Sequence, residues 1–491
     1  MATRVSQEKS VGAEELDVQK GLAAGATDGD ALLEKRVTRK LDFHILPWIF
    51  ILWLLAFIDR SNIGNAKLDG LVKDLHLTGE KFNVVLAVFY ILYVLVDIPA
   101  NWALKYVGGG RWLASIAIAW GIVGTCMGAA KSYGGLIACR LLLGACEGGM
   151  FGGIILYLSM FYKRHQLMFR LGIFYCAAPL SGAFGGLLAT GLAQIHFHGY
   201  NAWPWIFFVE GAVTIIVAMV AFFFLPPTPS QCKFLSLEEQ TYAAHRLHLD
   251  NYGATTSSVE EEHFTWTAVR HAFFNVNTIA MSINFFIILV PIYSFSLFLP
   301  SIISGLGYKA VHAQLLTVPP NFLAFLCVIG SSYLSDRIKM RGPMIVTGTL
   351  LAAIGYIMQL ASDRPGIKYG GTFFVAAGAF PCSPLVLAWL SNNLAPHYIK
   401  ATGLGLQVAI GNCGAFVATF TYLSTDAPHY TTGHSINLGA IGLILIITLA
   451  NMAYIRWENA ARASGKRDYR LTEQGGESML GYRHPAFEYT M

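Results

Sequence analysis

The sequence predicts an all-α membrane protein of twelve transmembrane helices, arranged as two six-helix pseudo-repeat halves. Three observations predict it. Of the 491 residues, 55% are hydrophobic and 13% charged, against about 25% charged in soluble domains, so most of the chain is built for an apolar solvent. The apolar segments run about 20 residues each, enough to cross the hydrocarbon core as helices, and lack the short alternating pattern of an outer-membrane barrel. A single long polar interruption divides these segments six and six, as in transporters built from repeats with the substrate site between the halves near the midplane.

In chain order, residues 1–40 form a polar tail without a signal-peptide pattern. Lys35, Arg36, Arg39 and Lys40 stand directly before the first span and place the N-terminus in the cytoplasm by the positive-inside rule. Spans are expected at 44–65, 83–104, 112–130, 135–160, 171–193 and 204–225, within a first bundle of residues 41–225. Pro226-Pro227-Thr228-Pro229 opens a cytoplasmic loop, 226–277, with a surface helix expected near Leu235 to Leu249. The second bundle, 278–455, has spans at 278–300, 313–334, 343–361, 370–391, 402–422 and 435–455. The even number returns the tail, 456–491, to the cytoplasm, where its polar sequence suggests flexibility. Lys105, Arg111, Lys163, Arg164, Arg170, Arg337, Lys339 and Arg341 fall in loops on that side. Lys67, Lys73 and Lys81 run against the rule but are interleaved with Asp69, Asp74 and Glu80. A multi-pass monomer in the plasma membrane is the expected setting.

Several function classes drop out. The eight cysteines are scattered without metal-type spacing or a disulfide framework. His196, His198, His429 and His434 lie in predicted external loops, too dispersed for a metal site. HExxH, P-loop and GxSxG patterns do not occur, so no enzyme activity, cofactor or nucleotide-driven pumping is expected. The net charge of +5 reflects loop arginines and lysines rather than nucleic-acid binding. The energy source must then be an ion or substrate gradient.

The chemistry centres on the fourth span, where Arg140 and Glu147 interrupt the apolar run 137–159. A charge at mid-membrane costs about 2.5–3.5 kcal/mol on insertion scales and needs a partner, a wet cavity or a function. Seven residues is nearly two helical turns, which puts both side chains on one face about 10 Å apart. Gly144, Gly148, Gly149, Gly152 and Gly153 include small-xxx-small spacings that let neighbouring helices approach, so this span belongs inside the bundle. In the first span Asp59 and Arg60 are adjacent, point about 100° apart and must serve different neighbours. Counting the helical rise places Arg140 at a depth like theirs, which makes an Asp59–Arg140 pair reasonable and leaves Arg60 for an anion. Two readings stand: a structural ion-pair network, or a site that couples protons to an anion. Second-half spans offer uncharged polar groups instead, Asn284, Asn321, Asn392, Asn393, Gln407 and Asn412. This asymmetry suits one half binding protons while Gln407 and Asn412 help complete a substrate site. Tyr90 is a further candidate contact beside Tyr93 and Asp97, and Glu210 reads as a structural partner.

Asp336-Arg337-Ile338-Lys339-Met340-Arg341-Gly342-Pro343 resembles the cytoplasmic gating loop of the major facilitator superfamily. The matching first-half loop has Lys105 where that superfamily usually has an acid. Asp59-Arg60-Ser61-Asn62-Ile63-Gly64-Asn65-Ala66, Asp97-Ile98-Pro99-Ala100-Asn101 and Arg140 through Gly149 together resemble the anion:cation symporter family in its fungal allantoate and nicotinate permease branch. The resemblance implies the major facilitator fold and import of a small organic anion, such as nicotinate or allantoate, together with a proton. It implies proton coupling at Asp59 and Glu147, anion handling or alternating ion pairs at Arg60 and Arg140, and gating at Lys105, Asp336, Arg337 and Arg341. Export of a metabolite and non-transporting sensing stay open on the same fold. The partial antiporter pattern Ala178-Pro179-Leu180-Ser181-Gly182 favours symport over export.

Overall fold

In the computed structural model, which describes residues 28–162, 166, 170, 173–192, 202–243, 266–395, 397–472 and 481–491, the apolar runs become helices, with no β-strand among the described residues. Ten helices are long and apolar enough to cross a membrane. The second span (Lys81–Val107) and the eleventh (His397–Asn412 continued by Gly414–Thr419) complete the twelve. The first half is otherwise Leu46–Ala66, Gly109–Gly128, Tyr133–Glu147 continued by Met150–Ser159, Ala177–Leu192 and Ala202–Phe224. In the second half stand Val276–Gly305, Ala310–Leu316 continued by Val318–Ile338, Gly342–Ala361, Pro365–Asn392 and Thr431–Ala463.

Local chemistry sets the helix starts. Pro47 occupies the first turn of the first span, where a missing N–H costs nothing. Ser132 caps the fourth by accepting from the Gly135 N–H at 3.2 Å, and Asn275 caps the seventh by accepting from the Asn277 and Thr278 N–H groups. In the central loop a capping box opens a helix at Leu237: the Ser236 N–H donates to Glu239 Oε2 at 2.9 Å and the Glu239 N–H donates to Ser236 Oγ at 3.3 Å. That helix is described as far as Ala243; the remainder expected to Leu249 lies outside the described residues, as do Lys163, Arg164, His196 and His198.

The glycines of the fourth span do what their spacing suggests. A Cβ at Gly144 would strike the main-chain oxygen of Phe89, and one at Gly148 that of Tyr93, so the two backbones lie against each other. This contact presses Arg140 and Glu147 into the first-half interior, where both are buried. Between the halves, Gly64 packs on the Leu297 carbonyl, Asn83 Nδ2 donates to Thr419 O at 2.6 Å, and Gln314 Nε2 donates to Asp69 Oδ2 at 2.7 Å. These contacts close the bundle at the end remote from the termini.

The tail departs from the flexible segment its polarity suggested. Residues 481–491 are docked on the terminus-bearing face of the second half. Trp389 Nε1 donates to Thr490 O at 2.9 Å, the Thr490 N–H donates to Asn393 Oδ1 at 2.8 Å, and the Tyr489 N–H donates to Asn459 Oδ1 at 3.0 Å. Glu458 gathers Arg462, Arg467 and Arg470 beneath this segment.

Candidate functional site

The first span carries Asp59 and Arg60 into the interior with different neighbours, as adjacency on a helix requires. Arg60 Nε donates to Glu147 Oε2 at 2.9 Å, and both side chains are buried. The guanidinium sits in an aromatic enclosure, 4.5 Å from the Tyr93 ring centroid, 5.3 Å from those of Phe57 and Phe89, and 6.0 Å from that of Trp53. Cation–π contacts of this kind offset part of the cost of taking the charge out of water. Nη1 and Nη2 have no hydrogen-bond partner among the described residues, so the edge of the fork that can grip a carboxylate is unspent.

The pairing differs from the one that depth alone suggested. Arg60, not Asp59, forms the ion pair with the fourth span, and its partner is Glu147 rather than Arg140. Helical rise fixes level but not rotation. Asp59 faces the third span, where a Cβ on Gly124 would lie 3.5 Å from both carboxylate oxygens. Neither oxygen has a hydrogen-bond partner among the described residues, and the same holds for Arg140 Nε and Nη2. Arg140 packs 6.0 Å from the Phe89 ring and interacts electrostatically with Asp59, Glu147 and Glu210. The two neighbours on the first span thus face different sides, Arg60 toward Glu147 and Asp59 toward the third span and the charge of Arg140.

Tyr90 belongs to a ring cluster that crosses between the halves: its centroid is 5.5 Å from Tyr293 of the seventh span and 6.1 Å from Phe416 of the eleventh. Tyr293 was not legible as a site residue, because a lone tyrosine in an apolar run carries no periodic signal. Its hydroxyl and that of Tyr93 approach the Arg60 guanidinium closely enough to share weak hydrogen bonding with it, short of the geometry of a full hydrogen bond, so an arriving anion would meet these hydroxyls as well as the arginine.

The amide nitrogens of the second-half candidates are partly engaged elsewhere. Gln407 is fully buried and donates Nε2 to the carbonyls of Met281 at 3.2 Å and Val386 at 3.3 Å, which ties three helices together and spends its donors, while Oε1 has no partner among the described residues. Asn284 donates to Thr448 Oγ1 at 3.0 Å, Asn393 holds the tail, and Asn412 is half-buried. Around the expected gate, Arg341 is ion-paired with Asp336, donates Nη1 to Ser335 Oγ at 3.1 Å, and offers its N–H to Met491 O at 2.7 Å. Arg337 is exposed, and the side chain of Lys105 lies outside the described residues.

Comparison with known proteins places this geometry. A family model of the Major Facilitator Superfamily matches residues 49–419. An uncharacterised transporter of Schizosaccharomyces pombe is 36% identical over 94% of this chain and 92% of its own. A high-affinity nicotinic acid transporter of Saccharomyces cerevisiae is 33% identical over 91% of this chain and 83% of its own. Among solved structures, a bacterial homologue of the human lysosomal transporter Spinster, captured inward-facing and unoccupied, superposes with a TM-score of 0.64 at 16% identity, covering 82% of this chain and 95% of that one.

Proposed function

This chain belongs to the Major Facilitator Superfamily, and we propose that within it the protein is a proton-coupled symporter that imports a small organic anion, a nicotinate-like or allantoate-like carboxylate, by alternating access. One observation carries the reading: a buried arginine, Arg60, bound through Nε to Glu147 and holding two further nitrogens without partners among aromatic rings from the first and second spans. A planar carboxylate satisfies those nitrogens in the bidentate manner that guanidinium favours. The nicotinic acid transporter at 33% identity supports the substrate class.

In this reading the anion docks on Arg60, with Tyr90, Tyr293 and Arg140 around it, and draws the guanidinium from Glu147. A buried carboxylate that loses its cation is an uncompensated charge of high cost, and taking up a proton removes that cost. Anion and proton therefore enter together at Arg60 and Glu147, with Asp59 as the second proton site. One proton with a monoanion moves no net charge; a second adds about 2.3 kcal/mol per 100 mV. The halves then rock about the closed end, with Asp336, Arg337, Arg341 and Lys105 controlling the opposite one. The termini face the cytoplasm and the membrane is the plasma membrane.

The test is uptake of radiolabelled nicotinate, allantoate, pantothenate and biotin into proteoliposomes under imposed pH gradients of either sign. Accumulation of one carboxylate with an acidic exterior is the expected result. Accumulation that requires the opposite gradient would make the protein an exporter, and binding without flux would make it a sensor.

A further inference from the structure

Glu210 of the sixth span stands outside the mechanism so far, although it is as deeply buried as Asp59 and Glu147. Its Oε2 accepts from Asn62 Nδ2 at 3.1 Å, and its Oε1 has no partner among the described residues. Asn62 lies three residues beyond Asp59, on the same face of the first span, so this hydrogen bond brings Glu210 onto the side where Asp59 points. The two carboxyls interact electrostatically, and both do so with Arg140. No cation lies within ion-pair distance of either among the described residues.

We infer that Glu210 is a third proton-binding residue, and that it and Asp59 hold one proton jointly in the interior of the first half. The inference deepens the proton-coupled reading above and rests on charge balance. Three carboxyls, Asp59, Glu147 and Glu210, share a buried cluster with two guanidiniums, Arg60 and Arg140. Glu147 is committed to Arg60 as a carboxylate by their ion pair. That leaves Asp59 and Glu210 with the single charge of Arg140, and two ionised carboxylates here would leave one buried negative charge unopposed. Other elements packed against Glu210 do not alter the count. The third span offers Gly121, Gly124 and Thr125, and the described part of the fifth span carries no acid or base, its Tyr175 lying against Phe151 of the fourth span. In the turn beyond the first span, Asp69 is bonded to Gln314, Asp74 to Trp203 and Lys67 lies over Phe82.

Placement gives the shared proton a distinct role. Glu210 borders an apolar cleft of about 240 Å³, lined by Leu55, Ile58, Leu188 and Val213, on the side of the first span away from the aromatic enclosure of Arg60. A proton held there neutralises the cluster without competing for the anion's place. Because Asn62 donates to Oε2, the bare Oε1 is the atom that carries the proton when Glu210 is the holder.

The full chain in lipid nanodiscs, at neutral pH and without added anion, tests this by the infrared carbonyl stretch of protonated carboxyl groups. The wild type is expected to show such a band, Glu210→Gln to lose or greatly weaken it, and Asn62→Ala to keep it at a shifted frequency, since the hydrogen bond to Glu210 is gone. A band unchanged in Glu210→Gln, or unshifted in Asn62→Ala, overturns the assignment; the second variant decides if the first does not fold. In proteoliposomes taking up nicotinate, Glu210→Gln should move the half-maximal pH of uptake to the acid side by about one unit or more; an unmoved profile overturns a role in coupling. If the wild type carries no nicotinate, the symport reading fails while the infrared result still decides on Glu210.

Discussion

The two halves bury polar chemistry of different kinds. Within its spans the first half buries five charged side chains among the described residues, Asp59, Arg60, Arg140, Glu147 and Glu210, of which Arg60 and Glu147 form a direct ion pair. The second half buries amides and hydroxyls, some of which bond one another or the main chain: Asn284 Nδ2 on Thr448, Ser294 with Thr421 at 2.8 Å, and Gln407 Nε2 on two carbonyls; others, such as Ser282 Oγ and the side-chain amides of Asn277 and Asn451, have no partner among the described residues. Its densest charge cluster, around Glu458, stands at the terminus-bearing end beside the docked tail. Neutral hydrogen-bonded groups stabilise a membrane interior modestly and hold one charge state throughout. Buried charges cost more, but they change state when a proton or anion arrives. On the proposed reading, the first half is the part that responds and the second the surface it closes against, contributing Tyr293 and Phe416.

The largest effect should come from removing the cation at the centre of the first half. Arg60→Ala leaves Glu147 buried without its ion-pair partner, a change that costs about 3–5 kcal/mol when a buried pair is broken. It also removes both free nitrogens of the fork. Nicotinate affinity, measured by scintillation proximity on protein that elutes as wild type, should fall about 100-fold or more. Unchanged affinity would break the comparison at its base.

A paired and an unpaired acid in the same half should then part company. Glu147→Gln still accepts from Arg60 but leaves the guanidinium charge unopposed, so stability should fall by roughly 1–3 kcal/mol. Asp59→Asn removes a charge that has no hydrogen-bond partner among the described residues, and the melting temperature should hold or rise. Both variants should lose acid-driven accumulation while retaining exchange of nicotinate. Equal loss of stability in the two would contradict the pairing of Glu147 with Arg60.

The limits of what could be read from the sequence follow from the same geometry. The twelve spans were legible because length and the absence of charge are properties of single segments. That the fourth span packs closely inside the bundle was legible because Gly144 and Gly148 fall one turn apart, but that its neighbour there is the second span was not. Rotation was not: whether Asp59 or Arg60 meets the fourth span depends on the space that Gly124 leaves on the third. Nor was the role of Gln407, whose partners are main-chain carbonyls that every residue supplies. The docked tail escaped for the same reason, since Thr490 bonds Trp389 through its carbonyl.

A second-half variant sharpens the contrast at smaller scale. Gln407→Leu removes the donors to Met281 and Val386. It should cost about 1–2 kcal/mol of stability and leave the concentration for half-maximal uptake of nicotinate unchanged. A marked rise in that concentration, without a stability change, would return Gln407 to the substrate site and make the second half chemically active.

The smallest effect belongs to an acid outside the spans. Burial pushes the carboxyl of Glu239 up, but hydrogen bonds from Lys40 and the Ser236 main chain, with the charges of Lys40 and Arg36, outweigh it and hold it below its ordinary 4.5. A depressed carboxyl contributes its stability fully above the unfolded value and loses it as pH falls through the folded one. The anchorage of the central loop should therefore be constant at neutral pH and weaken only below about 4.5. Lys40 is 38% exposed, so the contribution is well under about 1 kcal/mol. Thermal unfolding of wild type and Glu239→Gln should differ slightly at neutral pH and converge in acid. A difference that persists in acid would remove the ion pair as its source. The contrast with Asp59 is physical: the charge of Glu239 is held by a bonded, accessible lysine, whereas Asp59 is enclosed with no cation hydrogen-bonded to it among the described residues.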